Sequence, residues 1–346
     1  MVAVRDVLTE LCSLPGPAGF EEPVTSRVKD LLEPLVDETW TDVMGNVIGV
    51  RRCGKENPGK LLLDAHVDEV GLVVTGVEEG FLRFTALGGL DARVLPASDV
   101  MIQTDPPLYG VICVLPPHVI KKEDEDKPIK IEDMYIDVGM SDEDTKKAVS
   151  PGTPGVLAHG VRNIGESGLC GKALDDRAGL AAILRALDML RDEKIDTDLY
   201  VMASVQEEVG CRGAAPGAFA IGPDRCIVID VGFAKTPDTK PTEVSEELGG
   251  GVIISRGPNM NRGFTEHIIG LAKEHDIKHQ INVEPGGNSG TNTHVIQISR
   301  DGVATVLLSV PLRYMHGAYE YVILEDIEST AKLICEAARL PRPVKG

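Results

Sequence analysis

The spacing of apolar residues changes character twice along the chain. Val24, Val28, Leu31, Leu32 and Leu35 recur at helical spacing between Pro23 and Asp37-Glu38, predicting an early amphipathic helix. Two strand-like runs follow, at residues 46–51 and 60–64. From about 74 to 164 the pattern breaks up. Eight of the 22 prolines lie there, among short β-rich pieces such as 110–115 and the charged run 121–126, and only 141–149 has a helical period. Short strands interrupted by Pro, Gly and charged turns read as a small barrel or sandwich. From 172 onward helices and apolar strands alternate. A long segment, 176–191, carries Leu180, Ile183, Leu184, Leu187 and Leu190 on one side. Strands at 199–205, 225–229 and 303–310 and helices at 265–275 and 325–338 complete it. Such alternation predicts an α/β fold, a sheet covered by helices on both faces. The simplest organisation is one α/β domain built from residues 1–73 and 166–346, with a β-rich domain of 74–165 inserted.

Composition narrows the function. Across 346 residues, 35 Lys and Arg stand against 54 Asp and Glu, a net charge of −19. That excess of acid excludes phosphate-rich partners, so no nucleic acid and no anionic membrane surface is expected. No run approaches the ~20 apolar residues of a membrane span, and residues 1–6 lack the pattern of a secretory signal. The seven cysteines are scattered and never form a C-x-x-C pair. They read as small buried hydrophobes in a reducing, cytoplasmic protein.

Five short segments place acids and histidines where strands are expected to end. In Asp64-Ala65-His66-Val67-Asp68-Glu69, His66 and Asp68 share one face of an extended chain, suiting either a strand-end hydrogen bond or a metal ligand with an acid holding its other nitrogen. Asp175-Asp176 precedes the long helix, where a carboxylate can also serve as a cap. Glu207-Glu208 follows the apolar run 199–205. Two like charges there are costly unless a cation or a proton is shared. Asp230 ends the run 227–229, and His316 follows the strand 303–310. Open α/β sheets gather ligands at the carboxyl ends of their strands. Two histidines, three carboxylates and a spare glutamate suit a two-metal hydrolytic site of nitrogen and oxygen donors, for zinc, cobalt or manganese.

These segments resemble the tetrahedral aminopeptidases, a metallopeptidase family that includes proteins labelled glutamyl aminopeptidase and cellulase M. The match runs in order through D-A-H-V-D-E-V-G, K-A-L-D-D-R-A-G, Q-E-E-V-G, V-I-D-V and P-L-R-Y-M-H, and into the insert at G-G-L-D-A-R-V-L-P. The resemblance implies a mixed sheet sandwiched by helices, with the insert a small β-barrel used for dimerisation. It implies that His66 and Asp230 hold one divalent ion, that Glu208 and His316 hold another, and that Asp175 bridges them. Asp68 orients His66, and the peptide between Asp175 and Asp176 is cis. Attack by a metal-bound hydroxide, with Glu207 as general base, then releases N-terminal residues from short peptides with a free N-terminus. Dimers and a hollow tetrahedral dodecamer are implied as well.

The sequence departs from the family at Asn292, where relatives have an acid in G-T-D-A, and at Gly317-Ala318, where they often have Ser-Pro. The first puts a substrate contact or a contact supporting the site in question. His275 and His279, four apart, read as a surface pair, and His118, His159 and His267 as structural. Asp91 and Arg93 suit either a turn salt bridge or a reach into a neighbouring subunit's site. Two other readings compete. A peptide-binding or chaperone-like shell without activity draws support only from Asn292. A glycosidase leaves His66 and His316 without a role, and 4% aromatic residues leave few rings on which to stack sugars.

Overall fold

The computed structural model describes residues 2–119, 129–240, 244–284 and 289–341, and the charged run 121–126 lies outside them. Four parallel strands form its centre, in the order Thr197–Ser204, Gly59–His66, Arg225–Phe233 and Ala304–Arg313. Antiparallel strands extend both sides. Val47–Arg51 and Glu38–Thr41 lie on one, and Glu320–Ile323, Gly168–Gly171 and Arg162–Ile164 on the other. Val252–Arg256 also pairs with Ala304–Arg313 and carries His279–Val283 beyond it. The sheet is therefore mixed.

The apolar runs of the central strands follow from burial on both faces. Along Gly59–His66, Leu61, Leu63 and Ala65 enter one core and Leu62 the other, because successive side chains alternate. The larger core lies under the helices Val4–Ser13, Glu22–Leu32, Leu174–Met189, Arg262–Glu274 and Leu324–Ala338. The smaller lies under Ala214–Ile221 and Thr293–Ile296. Val4–Ser13 is an element the periodicity reading passes over, although Val4, Val7, Leu8 and Leu11 keep helical spacing and are buried. The long helix also differs from expectation. Every residue from Leu174 to Leu184 is buried, so it has no solvent face there. Its small residues allow this, since it is wedged between the sheet and the helices Val4–Ser13 and Leu324–Ala338. At Gly179 a Cβ would stand 2.5 Å from Asp176 Oδ1 and 2.8 Å from Ile229 Cγ2.

The insert forms a closed antiparallel barrel from Gly71–Glu78, Phe81–Leu87, Tyr135–Asp137, Leu108–Cys113, Asp99–Ile102 and Pro154–Leu157. Leu72, Val74, Leu82, Ile112 and Ile136 fill it. Gly71 is thus already in the barrel, and Arg162–Ile164 already in the large sheet. The helix Asp142–Ala148 starts at Ser141, whose Oγ accepts from the Asp144 amide at 3.2 Å, a side-chain cap. All seven cysteines are free, five of them buried. Among the described residues no helix is long and apolar enough to cross a membrane.

Candidate active site

Strand register brings the five segments to one edge of the sheet. His66 ends its strand opposite Ser204, the last residue of the adjoining one, and Glu207 and Glu208 follow in the next turn. Asp230 lies opposite Ser309, and His316 comes just after that strand ends at Arg313. Asp175 arrives from the start of the buried helix, where its dihedral angles are not yet helical and its bond to Asp176 is cis. It offers one oxygen to each histidine. His66 Nε2 lies 3.0 Å from Asp175 Oδ1 and 4.0 Å from Asp230 Oδ1. His316 Nε2 lies 3.4 Å from Asp175 Oδ2 and 3.3 Å from Glu208 Oε1. Within each of the two groups, His66–Asp175–Asp230 and Asp175–Glu208–His316, the donor atoms all lie within 4.8 Å of one another.

Other side chains hold these groups in place. The buried Asp68 carboxylate accepts from the amides of Glu207 and Glu208, at 3.0 and 3.2 Å, and stands 3.5 Å from His66 Nδ1. It therefore holds the Glu207-Glu208 turn, while the hydrogen bond of His66 Nδ1 goes to the Asp68 backbone carbonyl at 3.2 Å. Glu320, which sequence reasoning missed, accepts from the Asp175 amide at 3.0 Å and from the His316 amide at 3.2 Å. A signal was present. Glu320 and Val322 share the buried face of a short strand, and an acid on the inward face of such a strand needs a partner. The insert motif contributes through its glycines. A Cβ at Gly88 would stand 3.2 Å from Glu208 Cβ, and one at Gly89 only 2.7 Å from His316 Nδ1. Glu207 belongs to neither donor group, and its Oε1 accepts from the Cys211 thiol at 3.2 Å.

The electrostatics describe a site built for positive charge. Burial pushes Asp230 well above the usual carboxylate range, helped by the charges of Asp175 and Glu207 and opposed by His66. Burial likewise raises Glu208, and carries Glu207 up to about 7 with Glu208 and Asp68 adding to it. Asp175 is the exception, because hydrogen bonds from His316 and His66 outweigh burial and hold it low. Burial disfavours the imidazolium forms, but bonds to Asp175 and Asp68 keep His66 well above its ordinary value. Bonds to Asp175 and Glu208 carry His316 up to about 11. Acids this crowded and this dry share what positive charge is available, and divalent ions at their centres would relieve all of them. Imidazole and carboxylate donors without a thiolate fit zinc, cobalt or manganese.

Asn292 does not face the cavity beside these groups. Its amide nitrogen donates to Asp64 Oδ2 and Ser204 Oγ, both at 2.9 Å, in a buried layer beneath the site. The departure from G-T-D-A therefore falls on a supporting contact rather than on a substrate contact. Asp91 and Arg93 form an ion pair with each other at 2.6 Å. His275 lies 3.5 Å from Glu336, His279 Nδ1 contacts the Ile277 carbonyl at 2.8 Å, and His159 stacks on Tyr319.

A cavity of about 450 Å³ opens over both donor groups, reaching from His66 and His316 to Phe233, Glu246 and Glu284. A family model described as M42 glutamyl aminopeptidase matches residues 45–333. The lysyl aminopeptidase of Pyrococcus furiosus is 36% identical over 335 residues, covering 95% of this chain and 94% of its own. Among solved structures, the TET aminopeptidase of the marine sediment archaeon Thaumarchaeota archaeon SCGC AB-539-E09 superposes with a TM-score of 0.92. It is 31% identical and covers 97% of this chain and 96% of its own. The Pyrococcus horikoshii TET1 peptidase, described as assembling into a tetrahedron or a large octahedral shell, has a TM-score of 0.84. It is 30% identical and covers 97% of this chain and 99% of its own.

Proposed function

Because the chain belongs to the M42 glutamyl aminopeptidase family, and is thus a peptide-bond hydrolase, we propose that it is a two-metal enzyme acting on the free N-terminus of short peptides. His66 and Asp230 would hold one ion, Glu208 and His316 the other, and Asp175 would bridge them. The observation that carries this reading is the placement of Asp175, with one oxygen toward each histidine and a further acid beside each. Two divalent ions bound there would lower the pKa of water and polarise a peptide carbonyl. Glu207 takes the proton of the attacking water and returns it to the leaving amine, for which a buried carboxyl near neutrality is suited. Asp68 keeps Glu207 aimed, through its backbone amide. The acid-rich end of the cavity receives the substrate's α-ammonium, which selects free N-termini. The large sheet with its helices would form the catalytic domain, and the barrel from Gly71 to Leu157 the dimerisation domain, a few residues away at each end from the 74–165 read in the sequence. The exposed Tyr109, Val111 and Leu115 on the barrel side support that role, and the Pyrococcus horikoshii relative, which forms a tetrahedron or an octahedral shell, supports assembly into a shell, here a tetrahedral dodecamer.

The test is amino-acid release from short peptides with free and acetylated N-termini, with zinc, cobalt or manganese and with a chelator. Release only from free N-termini, abolished by chelation, is expected. Release that persists in chelator, or none with any metal, overturns the reading and in the second case favours an inert shell.

The support from Glu320 gives a further expectation. Glu320→Ala leaves the buried amide of Asp175 and the part-buried amide of His316 without this partner, and is expected to weaken metal affinity about 10–100-fold, the usual cost of losing a partner behind a ligand. Metal titration calorimetry checks it, and unchanged affinity would show that the two backbones are held by other contacts.

A further inference from the structure

The far wall of the cavity carries chemistry that the proposed reaction does not use. Asp230, Ser309 and Ile253 lie side by side on three neighbouring strands and form its floor. Two strand spacings, about 10 Å, therefore separate the metal-ligand end from the strand beyond. Val231, Phe233, Ile253, Leu307 and Met315 line the way. Beyond them stand two carboxylates. Glu246 is buried, and its backbone carbonyl is tied to the Lys235 amide at 2.8 Å, just past the strand that bears Asp230. Glu284 is half-buried and tied by its amide to the Arg256 carbonyl at 2.8 Å.

Neither acid has a cation within 4.0 Å among the described residues, and the nearby cations are engaged elsewhere. Lys235 pairs with Glu247, and Arg256 with Glu266 at 2.8 Å. Among the described residues Glu246 receives hydrogen bonds from Ser245 alone, through its amide and hydroxyl, and Glu284 one from the Asn282 side-chain amide at 2.6 Å. A carboxylate pair can accept about eight hydrogen bonds, so most of this capacity is open. Burial and the neighbouring Glu246 push the Glu284 carboxyl above its ordinary value. The described lining of the whole cavity holds six carboxylates and no lysine or arginine.

We infer that Glu246 and Glu284 make this cavity a receptor for a long cationic side chain, so that the enzyme selects peptides beginning with lysine or arginine. The inference rests on the aminopeptidase reading and deepens it. The methylenes of such a side chain cover the apolar lining, and its charged end reaches the two acids, a division that suits lysine and arginine alone. An acidic N-terminal side chain meets like charge at this far wall. A neutral aliphatic one leaves both carboxylates desolvated without a cation.

Two readouts test this with the metal-loaded enzyme. The first is calorimetric binding of lysinol and norleucinol, which differ only in the terminal ammonium and contain no bond to hydrolyse. The second is the ratio of kcat/KM for lysyl and norleucyl substrates. Lysinol is expected to bind at least ~10-fold tighter and the lysyl substrate to be preferred by a similar factor, as for a charge-assisted contact. In Glu246→Gln/Glu284→Gln both ratios are expected to approach one. Where the buried Glu246 change disturbs folding, Glu284→Gln alone should still reduce them. Equal binding of the two alcohols, or a preference unchanged in the variants, overturns the inference. The two readings fail separately. Preferential lysinol binding without hydrolysis of any peptide defeats only the aminopeptidase reading, and equal hydrolysis of lysyl and norleucyl substrates defeats only this one.

Discussion

Glu207→Gln is expected to lower kcat about 10²–10⁴-fold, the usual worth of a general base, with both metal ions still bound. The separation follows from position. Glu207 is in neither donor group, whereas Glu208 beside it is. The amide is isosteric, its oxygen can still accept from the Cys211 thiol, and the backbone amide still donates to Asp68. What the change removes is proton affinity. A base works only unprotonated, so wild-type kcat/KM falls as pH drops through its pKa. The variant loses that acid limb. In the metal-free site burial holds Glu207 near 7, and adjacent divalent ions would pull that value down. Steady-state kinetics across pH, with metal content by mass spectrometry, checks each part. Wild-type turnover in the variant would remove Glu207 from the reaction, and lost metal would make it a ligand.

Asp175→Asn is expected to have an effect as large by a different route, losing metal as well as rate. The carboxylate places Oδ1 3.0 Å from His66 and Oδ2 3.4 Å from His316. An asparagine has one oxygen and would turn an NH₂ toward the other position, where it repels a cation. It also removes the one acid in the cluster that hydrogen bonds hold firmly ionised. Loss of metal affinity should exceed the 10–100-fold typical of an outer partner, with at least one ion per chain lost on dialysis. Circular dichroism of the variant separates this from unfolding. Two ions retained per chain would show that the histidines and outer acids suffice without a bridge.

Much of this was legible in the residue pattern, and the exceptions share a cause. Strand-end acids and histidines were found because apolar runs of 4–8 residues announce their own ends, and every candidate ligand but Asp175, which opens the long helix, stands at or beyond one. The cis peptide at Asp175-Asp176 was expected from resemblance, not from spacing. Leu174–Met189 was expected to have a solvent side because five leucines and isoleucines mark only one stripe. Its other faces are closed by alanines and a glycine, whose burial depends on what packs against them. Glu320 gave a local clue in Val322, but its partners lie at Asp175 and His316, 145 and 4 residues away. Asn292 stood next to the site in the motif and proved to lie beneath it, bonded to Asp64, 228 residues earlier.

The sequence by itself therefore determined most of the elements, the alternation that makes the sheet, a β-rich insert, and which residues are chemically able to serve. Those properties rest on local periods of 2 and 3.6 and on side-chain chemistry, which short segments carry. Tertiary structure alone decided which strand ends meet. His66 is set opposite Ser204 and Asp230 opposite Ser309 by parallel pairing between distant segments. A shift of one residue would turn each ligand to the other face of the sheet. The pairing of Glu246 with Glu284 across one cavity has the same origin. Their loops are separated in the chain and joined only through the strands Val252–Arg256 and His279–Val283, so no local pattern could have named them together.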